Sequence, residues 1–405
     1  MLRICTVFQI CTEIRSNGRP GTVAPTDRHN PWEVNLNITV DQLNQLQNHL
    51  LVDMRPMSAY QNGHIPNAVH MPEVTQCDNG LDQTRPIVVY CVHGTQSPDV
   101  VLRLRNSGYN AYSLEGGYLT WLLAHFPTSQ SAVIIETGIR KKFHKPLFSK
   151  FTKAVKTYQL IEEGDRIAVC LSGGKDSMLM AKLFQELTRH RKVFFSLVFL
   201  LMDPGYTPQS RAIIEKNAAL LDIPLDVFQT DIFDSVFGIE KSPCYICARM
   251  RRGHLYSRAR ELGCNKIALG HHFDDVIETI LMGMLYGAQV QTMLPKLSSQ
   301  NFAGMQLIRP MYFIRESDII HWRNYHGLHF IQCACRFADT CDTCASDEEG
   351  VVGSKRTEIK ALIQTLKAQN PNVEKNIFNS VENVNLNTLI SYKKDGKVHH
   401  FLDQD

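Results

Sequence analysis

The 405-residue sequence lacks the long apolar runs, internal repeats and strong net charge that mark several large classes of protein. No stretch approaches the roughly 18 consecutive apolar residues that a membrane-spanning helix needs. The N-terminal residues show no convincing small-residue cleavage site, so we do not expect a secretory signal. The 43 basic and 40 acidic residues nearly cancel to a net charge of +3, so any nucleic-acid binding has to come from local patches. These absences predict a cytoplasmic protein with no membrane partner.

Twelve cysteines stand out against this background, and seven of them fall into three groups. Without a secretion signal, we expect the chain in a reducing compartment, where clustered cysteines favour metal or sulfur chemistry over disulfides. The groups are Cys91 alone, the pair Cys244 and Cys247, and four late cysteines that begin at Cys333.

Alternating apolar strands and amphipathic helices divide the chain into two α/β regions. The strongest strand predictions are residues 50–53 and 86–90 in the first region, and 166–171, 193–202 and 266–270 in the second. The predicted boundaries are a flexible leader at 1–35, a first domain at 36–127, a linker at 128–140, a second domain at 141–395 and a tail at 396–405. The leader has several arginines and few acids, so organellar targeting by this segment stays open.

Cys91 lies in a loop that follows a predicted buried strand and precedes a predicted helix. Successive backbone N–H groups and the helix N-terminus point towards such a position and stabilise an anionic sulfur, either thiolate or persulfide. Gly94 allows the loop to curl through backbone angles that other residues resist. The pattern alone also fits a buried structural cysteine.

The strings around Cys91 resemble the single-domain rhodanese family over nearly the whole first domain. In order, they are Asp53-Met54-Arg55, GHIPNA at 63–68, the loop from Cys91 to Gln96, and EGGY at 115–118 with Trp121. The resemblance implies that Cys91 accepts sulfane sulfur as a persulfide and passes it on. Many rhodaneses have an arginine near the end of this loop, where this chain has Thr95 and Gln96, so the preferred sulfur donor stays open.

The string SGGKDS at 172–177 follows a predicted strand and opens a helix. Gly173 and Gly174 let the backbone approach an anion, while the helix N-terminus and Lys175 add positive charge. Asp176 stands where a Walker loop has Ser or Thr, and a carboxylate beside a phosphate cradle suits a Mg²⁺ ligand. The segment is predicted to bind a phosphate group together with magnesium.

This string resembles the PP-loop pyrophosphatase family, which splits ATP between the α and β phosphates and adenylates a carbonyl oxygen. A second family-like element, ALGHHFDD at 268–275, agrees with it. His271 and Asp275 would lie at the carboxyl end of a strand, where open α/β sheets bind ligands. Asp274 is also compatible with a plain helix cap. The resemblance implies Asp176 and Asp275 as catalytic residues and an ATP-binding set of Ser172, Gly173, Gly174, Lys175, Asp176, Ser177 and His271.

Cys244 and Cys247 form a CxxC pair, which is followed closely by three arginines. By itself such a pair is compatible with half of a zinc site, a redox pair or two ligands of an iron–sulfur cluster. In a reducing compartment, thiolates from this segment and from the late cysteines are expected to share a metal ion or cluster.

The segment CYICARMRRGHLY, with GHHFDD, IRP at 308–310 and FIQC at 330–333, resembles the tRNA 2-thiocytidine synthetase (TtcA) family from about residue 141 to 389. In that family the CxxC pair and one late cysteine hold a [4Fe–4S] cluster, which implies Cys244, Cys247 and Cys333 as ligands here. Three protein ligands leave one iron open to hold a sulfur nucleophile.

This chain departs from the family pattern after Cys333. Cys335, Cys341 and Cys344 stand where a single later CxxC partner is usual. Cys335 stays open as an alternative third ligand, and a second metal held by the three later cysteines stays open as well.

A basic segment at 141–158 interleaves lysines with aromatic residues. Lysines neutralise phosphates, and the faces of Phe143, Phe148, Phe151 and Tyr158 are candidates for stacking on unpaired bases. Such a run also fits a solvated helix face. The arginines beside the CxxC pair favour the RNA interpretation, because an RNA backbone entering the site would pass them. The predicted RNA contacts are Lys142, Lys145, Arg249, Arg251 and Arg252.

Together the resemblances imply an α/β protein of two domains. The first is a rhodanese-like parallel sheet flanked by helices, and the second is a doubly wound parallel PP-loop sheet of the HUP-like, adenine nucleotide alpha hydrolase-like type. The implied cofactors are ATP, Mg²⁺ and a [4Fe–4S] cluster. The implied partners are tRNA and an upstream sulfur donor such as a cysteine desulfurase, while the oligomeric state, a homodimer included, stays open.

The implied function is ATP-dependent tRNA thiolation at the C2 carbonyl of cytidine 32, with sulfur relayed as persulfide by the first domain. Two alternatives stay open at this point. One is a related PP-loop thiolase that makes 2-thiouridine, and the other is an iron–sulfur or zinc sulfur carrier that does not act on RNA.

Overall fold

A computed structural model describes residues 35–74, 81–126, 131–236, 243–331 and 355–403. In its N-terminal part, five parallel strands form a sheet in the order β1-β5-β4-β2-β3. The strands are β1 Asn37–Ile38, β2 Leu50–Asp53, β3 Val69–His70, β4 Ile87–Tyr90 and β5 Ala111–Leu114. All four residues of β4 are buried, as an apolar run with both faces covered requires. The helices are α1 Val40–Gln45, α2 Met57–Gln61, α3 Ser97–Asn106 and α4 Gly117–Ala124.

A second sheet has six strands in the order β10-β11-β9-β6-β7-β8, and only β10 runs antiparallel to its neighbour. The strands are β6 Arg166–Leu171, β7 Ser196–Asp203, β8 Leu225–Gln229, β9 Lys266–Ala268, β10 Lys296–Ser298 and β11 Gln306–Ile308. After β6 the chain builds outward through β7 and β8, then returns to place β9 on the other side of β6. The sheet therefore has its topological switch point between β6 and β9, where such sheets bind ligands.

Helices cover both faces of the second sheet and complete the C-terminal part. They are α5 Ala132–Arg140, α6 Ser149–Thr157, α7 Lys175–Arg189, α8 Pro208–Leu220, α9 Ile232–Val236, α10 Pro243–Glu261, α11 Phe273–Gly287, α12 Glu316–Tyr325, α13 Lys355–Gln369 and α14 Val373–Ser380. A π-helical turn, His144–Phe148, precedes α6, and an antiparallel hairpin pairs β12 Ser391–Lys394 with β13 Lys397–His400. None of the described helices combines the length and apolar character needed to cross a bilayer.

These sheets confirm the predicted α/β class, but two predicted connecting segments differ from the structure. Residues 132–140 of the expected linker form helix α5, because Ile135 and Ile139 are four residues apart and both are buried in the core. The hairpin β12–β13 crosses the expected start of the tail at residue 396, because its strands pair on both sides of that point.

The two sheets are joined by direct packing of their helices. Helix α4, beside the first sheet, packs against α8, beside the second. Leu119 and Leu122 of α4 belong to the same buried apolar cluster as Ile213 and Ala218 of α8. Burial of these side chains stabilises the contact at about 25 cal/mol per Å² of apolar surface removed from water.

Candidate active sites

Cys91 lies directly after β4, at the carboxyl edge of the first sheet, and is almost fully buried. The backbone N–H of Gly94 donates to Cys91 Sγ at 3.1 Å, and Ser97 Oγ lies 3.6 Å from the same sulfur. Residues 91–96 thus curl around the sulfur before α3 begins at Ser97. The Gly94 N–H is one donor of the kind expected around this sulfur, and the anionic state of Cys91 stays a prediction.

The start of helix α4 holds the Cys91 loop in place. The N–H of Tyr118 donates to the Cys91 carbonyl at 2.9 Å, and the N–H of Leu119 donates to the Val92 carbonyl at 3.2 Å. Gly117 has a positive φ of +59°, and a Cβ there would lie 2.5 Å from the Cys91 carbonyl oxygen. A glycine is required at this close approach.

A buried ion pair supports the same sheet edge. Arg55 Nη2 donates to Asp53 Oδ2 at 2.6 Å, and Tyr90 donates its hydroxyl proton to the same oxygen at 2.7 Å. Burial would lower the pKa of Arg55, but the hydrogen bond and charge of Asp53 outweigh it and raise the pKa above its usual value. The guanidinium lies 3.8 Å from the centre of the Tyr118 ring. The Arg55 cation is neutralised by Asp53, so this ion pair braces the edge that carries Cys91 without adding net positive charge there.

The predicted SGGKDS loop joins β6 to α7 at the switch point of the second sheet. Ser177 Oγ accepts from the Ser172 N–H at 3.2 Å and donates to the Gly174 carbonyl at 3.0 Å, which closes the loop on itself. Gly173 has a φ of +83°, and a Cβ there would lie 2.5 Å from Ile214. The loop geometry needs glycine at that position.

Lys175 is held by two carboxylates. Its Nζ donates to Asp176 Oδ2 and to Glu316 Oε1, each at 3.2 Å. Burial alone would lower the pKa of Lys175, but the two carboxylates outweigh it and raise the pKa above the usual value. The side chain is a permanent cation at the mouth of the loop.

The structure brings the two predicted nucleotide segments together around one cavity of about 330 Å³. From the predicted set it is lined by Ser172, Asp176, Ser177, His271, Asp275 and Arg251. Asp176 Oδ1 is buried and accepts no hydrogen bond from any described residue. A buried carboxylate oxygen without a hydrogen-bond donor, in a cavity that is also lined by Asp275, suits a divalent cation.

His271 and Asp275 carry different charges in this cavity. Burial lowers the pKa of His271 to about 4, with Arg309 and Arg356 acting in the same direction and Asp275 opposing them. The imidazole is therefore neutral at physiological pH. Burial would raise the pKa of Asp275, but His272, Arg356 and a hydrogen bond from the His272 N–H lower it below its usual value. Asp275 is therefore negatively charged at physiological pH.

Asp274 does not cap its own helix, so the plain-cap interpretation is wrong. Helix α11 begins after His272, and Asp274 Oδ2 instead accepts from the N–H of Glu316 at 2.7 Å. Arg315 Nη2 lies 2.9 Å from Asp274 Oδ1. Asp274 therefore ties the start of α12 to the site, and this brings Glu316 within reach of Lys175.

Sequence reasoning missed several charged residues of this site. Glu316 on α12 and Lys360 on α13 pair with each other at 3.1 Å. Arg309, at the end of β11, is buried, and burial together with the charge of Arg252 lowers its pKa to about 10. In the sequence, Arg309 appears only within the family-like string IRP at 308–310. No local pattern predicts a role for Glu316 or Lys360, because the residues they pair with lie far away in the chain.

Helix α10 brings the predicted cysteine and arginine segment to the cavity. Arg251 lines the cavity and its Nη2 donates to the Tyr206 hydroxyl at 3.3 Å. Cys247, one turn earlier on the same helix face, packs in an apolar cluster with Met202 and Leu255, which also line the cavity. Arg249 and Arg252 point to solvent.

The structure does not describe the side chains of the remaining predicted cluster ligands. Cys244 belongs to α10, but its side chain is not among the described ones. Cys333, Cys335, Cys341 and Cys344 lie outside the described residues. Within the described residues, no group of three or more metal-ligating side chains forms a site.

The basic segment at 141–158 differs from the prediction in its aromatic residues. Phe143, Phe148 and Phe151 are buried in the apolar core and cannot stack on RNA bases, so the interpretation is wrong for these three residues. Tyr158 is only partly buried, and its hydroxyl donates to Glu382 at 3.1 Å. Lys142 and Lys145 are exposed, and Lys142 Nζ lies 3.7 Å from the centre of the Tyr325 ring. The phenylalanines anchor this segment while its lysines face solvent.

Comparisons with known proteins match both parts of the chain. The family description "Rhodanese-like domain" matches residues 39–124, and "PP-loop domain" matches residues 144–335. The tRNA-cytidine(32) 2-sulfurtransferase of Citrifermentans bemidjiense is 34% identical over 241 residues, which is 59% of this chain and 90% of that protein. The protein of the same name from Syntrophotalea carbinolica is 36% identical over 57% of this chain and 86% of its own length.

One solved structure overlaps the chain more loosely. It is the U34-tRNA thiolase NcsA from Methanococcus maripaludis with its [4Fe-4S] cluster, at TM-score 0.44 and 19% identity, covering 58% of this chain and 79% of that chain. An overlap at that level supports no inference about function.

Proposed function

The chain belongs to the tRNA-cytidine(32) 2-sulfurtransferase family, and we propose on that premise that it replaces the C2 oxygen of cytidine 32 in tRNA by sulfur at the expense of ATP. The observation that supports this proposal most directly is the shared cavity. It combines the SGGKDS loop, the His271 and Asp275 segment and the cysteine-bearing face of α10.

ATP would bind with its phosphates at the start of α7. The backbone N–H groups of the Gly173-Gly174 turn and the helix N-terminus favour an anion, and Lys175 adds a full charge. The neutral His271 can accept or donate a hydrogen bond to the nucleotide without adding charge. The cytidine C2 oxygen then attacks the α phosphate, and pyrophosphate leaves.

The donor atoms of this cavity fit a magnesium ion. Asp176 Oδ1, which has no hydrogen-bond donor among the described residues, would hold it together with Asp275, which lines the same cavity. When bound, the ion neutralises charge that develops on the departing pyrophosphate. Lys175 performs part of the same task from the protein side.

The [4Fe–4S] cluster would be held by Cys244, Cys247 and Cys333. The one described thiol of this set, Cys247, fits such a group, because it lies among side chains that wall the cavity. When bound, the cluster would supply an open coordination site for a sulfur nucleophile. Ile331, the last described residue before Cys333, lies against Gly173 and Gly174 of the SGGKDS loop.

Sulfur would reach this site from a Cys91 persulfide that an upstream cysteine desulfurase or another sulfane donor loads. Sulfane sulfur is two electrons more oxidised than sulfide, so a thiol reductant is required. Two thiols become a disulfide, Cys91 returns as a thiolate and the sulfur leaves as hydrogen sulfide. Its conjugate base attacks the adenylated C2, and AMP leaves as the 2-thio base forms.

The tRNA backbone would approach along α10. Arg249 and Arg252 face solvent on the helix that also carries Arg251 into the cavity. Exposed arginines bind phosphates, and an unpaired loop base can be turned into a pocket. Lys142 and Lys145 would extend the basic surface.

A direct test incubates the anaerobically purified full chain with ATP, thiosulfate, a dithiol and a tRNA transcript, followed by mass spectrometry of the nucleosides. The proposal requires 2-thiocytidine and tRNA-dependent release of pyrophosphate. Asp176→Asn should abolish both, while Asp222→Asn, at an exposed turn with φ of +52°, should leave both unchanged. A 2-thiouridine product would move the proposal to another base. ATP binding without turnover in the presence of any tRNA would refute it.

A further inference from the structure

The segment from Arg323 to Ile331 contacts the turn at residues 62–63 in the first sheet's region and the SGGKDS loop of the second sheet. On the side of the first sheet, Arg323 Nη1 donates to Asn62 Oδ1 at 2.6 Å, and a Cβ on Gly63 would lie 3.5 Å from His329 Nδ1. On the side of the second sheet, a Cβ on Gly173 would lie 3.1 Å from Ile331 Cδ1. One short stretch of chain therefore separates the first sheet's turn at residues 62–63 from the SGGKDS loop.

The turn at residues 62–63 is tied to the Cys91 loop. Arg55 Nη2 donates to the Gly63 carbonyl at 2.8 Å, and the same guanidinium lies over the Tyr118 ring. A Cβ on Gly63 would lie 3.0 Å from the Tyr118 hydroxyl, and the Tyr118 N–H donates to the Cys91 carbonyl. The turn and the Cys91 loop therefore belong to one hydrogen-bonded edge of the first sheet, which can keep its internal geometry when its distance from the SGGKDS loop changes.

Arg323 is a buried cation whose described partners are all neutral. It is 7% exposed, and besides Asn62 it donates from Nε and Nη2 to Asn324 Oδ1 at 3.0 and 2.7 Å. In the described part of the chain it forms no ion pair with a carboxylate. Burial lowers its pKa, while one group from each site, Tyr118 and Asp176, acts in the opposite direction.

A buried guanidinium without an acidic partner is unfavourable for folding, so stability does not account for it. Its fork of donors does define a geometry, because three nitrogens are fixed at once by two amide oxygens. Arg323 belongs to the connecting segment and contacts Asn62 in the turn of the first sheet. It is also close enough to Asp176 for that carboxylate to oppose the lowering of its pKa by burial. This position suits a residue that sets the distance between two sites.

We propose that Arg323 is a positioning residue that holds the Cys91 edge against the SGGKDS loop, so that sulfur passes between the two sites within one chain. The inference rests on the sulfur relay of the proposed function. In the transfer it serves, the first of the two reducing thiols, as its thiolate, attacks the terminal persulfide sulfur; the S–S bond breaks, a persulfide forms on that thiol and Cys91 leaves as a thiolate. This exchange is redox-neutral, and the second thiol then forms the disulfide and releases the sulfur as hydrogen sulfide.

The test separates delivery from chemistry. The full chain is loaded with ³⁵S persulfide from labelled thiosulfate, freed of excess donor and mixed with ATP, a dithiol and tRNA for a single turnover. Arg323→Met, which keeps length and loses the charged fork, should slow ³⁵S transfer to tRNA at least tenfold. Thiocyanate formation from thiosulfate and cyanide, and thiolation supported by added sulfide, should stay within about twofold of the wild type.

Three further variants sharpen the result. Arg323→Lys, which keeps the charge, should give an intermediate rate, and Asn62→Leu, which removes the partner on the first sheet, should slow transfer like Arg323→Met. Lys216→Met is the matched control, because Lys216 Nζ also bridges the two parts of the chain, through the Leu123 carbonyl at 3.3 Å, but bonds to neither Arg323 nor Asn62. It should transfer at the wild-type rate.

Mixing experiments address transfer within one chain. Cys91→Ser chains mixed with Asp176→Asn chains should not complement each other if delivery is intramolecular. Full complementation, a wild-type transfer rate in Arg323→Met, or an equal loss of sulfide-supported thiolation in that variant would each overturn the inference. If the wild type itself moves no label from Cys91 to tRNA, the relay fails first, and the positioning role fails with it.

Discussion

Gly117 shows how a single residue sets the shape of the Cys91 loop although it has no reactive side chain. It lies in the left-handed region at the first position of α4. A Cβ there would lie 2.5 Å from the Cys91 carbonyl oxygen and 2.7 Å from the Gly94 nitrogen, whose N–H donates to the sulfur. Any side chain at this position must push the loop away from α4.

We expect Gly117→Ala to lower thiosulfate-to-cyanide sulfur transfer at least tenfold, because it displaces the Gly94 N–H from Cys91 Sγ. The control is Gly108→Ala, which also has a positive φ, +87°, but no atom within 4 Å of an added Cβ. Both variants carry the strain of about 1–2 kcal/mol that a left-handed residue costs. Equal losses of activity in both would contradict the prediction.

Glu316 illustrates a residue whose charge state depends on distant partners. Burial would raise its pKa, but the charges of Lys175 and Lys360 outweigh it and lower the pKa to about 2. The folded-state pKa is therefore below the usual value near 4.5. The carboxylate contributes stability above pH about 4.5, and this contribution is lost as the pH falls towards 2.

We accordingly expect Glu316→Gln to lower the free energy of unfolding at pH 7 and to approach the wild type as the pH falls from about 4.5 towards 2. Urea unfolding at pH 7, 5 and 3.5 measures the difference. Glu261→Gln, at a side chain that is 59% exposed, is the control and should differ little from the wild type at any pH. A Glu316→Gln deficit that is constant with pH would be inconsistent with this charge coupling.

At the scale of secondary-structure elements, α5 is an integral helix in a stretch that composition marks as a linker. Ile135 is fully buried, whereas its neighbour Ile134 is 55% exposed on the same helix. Glu136 also pairs with Lys182, a buried lysine of α7, at 3.0 Å. Helix α5 therefore packs on the core beside α7 and is part of the second sheet's region, and it is not a free linker between the two regions.

Ile135→Ala should lower the free energy of unfolding by about 2–5 kcal/mol, because it leaves a cavity in the core. Ile134→Ala removes the same atoms from an exposed site and should change it by less than about 0.5 kcal/mol. Denaturant titration of both variants measures the contrast. Equal small effects would mean that α5 does not pack as described.

At the scale of the whole molecule, the net charge of +3 is too small to draw RNA by itself. Local placement matters more, since α10 turns Arg249 and Arg252 to solvent on the helix that lines the cavity. Arg260 is exposed on the same helix about two turns further on. A phosphate backbone at the cavity would contact the first two arginines and not the third.

We predict that Arg249→Ala and Arg252→Ala each weaken tRNA binding and lower the slope of log Kd against log salt by about 0.7, the value for one phosphate contact in unpaired nucleic acid. Arg260→Ala removes the same charge from the same helix and should leave the slope unchanged. Binding measured by filter retention at several salt concentrations decides the matter. Identical slopes for all three variants would exclude this approach path.

The sequence predicted those features that depend on local pattern. Strand β6 was predicted at residues 166–171, as observed, because five consecutive apolar residues follow Arg166 and a glycine turn comes soon after them. The Cys91 and SGGKDS loops were recognisable for the same reason, since each chemistry needs particular residues at neighbouring positions. Two predictions were wrong because the local pattern was compatible with two different structural roles. The phenylalanines of the basic segment are core residues, and Asp274 serves another helix.

By itself, then, the sequence determined the α/β class, the two loops and the family, because these follow from short-range periodicity and contiguous motifs. Only the tertiary structure decided that Glu316 and Lys360 lie beside Lys175 of the SGGKDS loop, that α5 is a helix in the core, and that Arg323 contacts Asn62 of the first sheet's region. Each of these depends on contacts between residues far apart in the chain. Such contacts are set by how sheets and helices pack, and no spacing along the sequence encodes them directly.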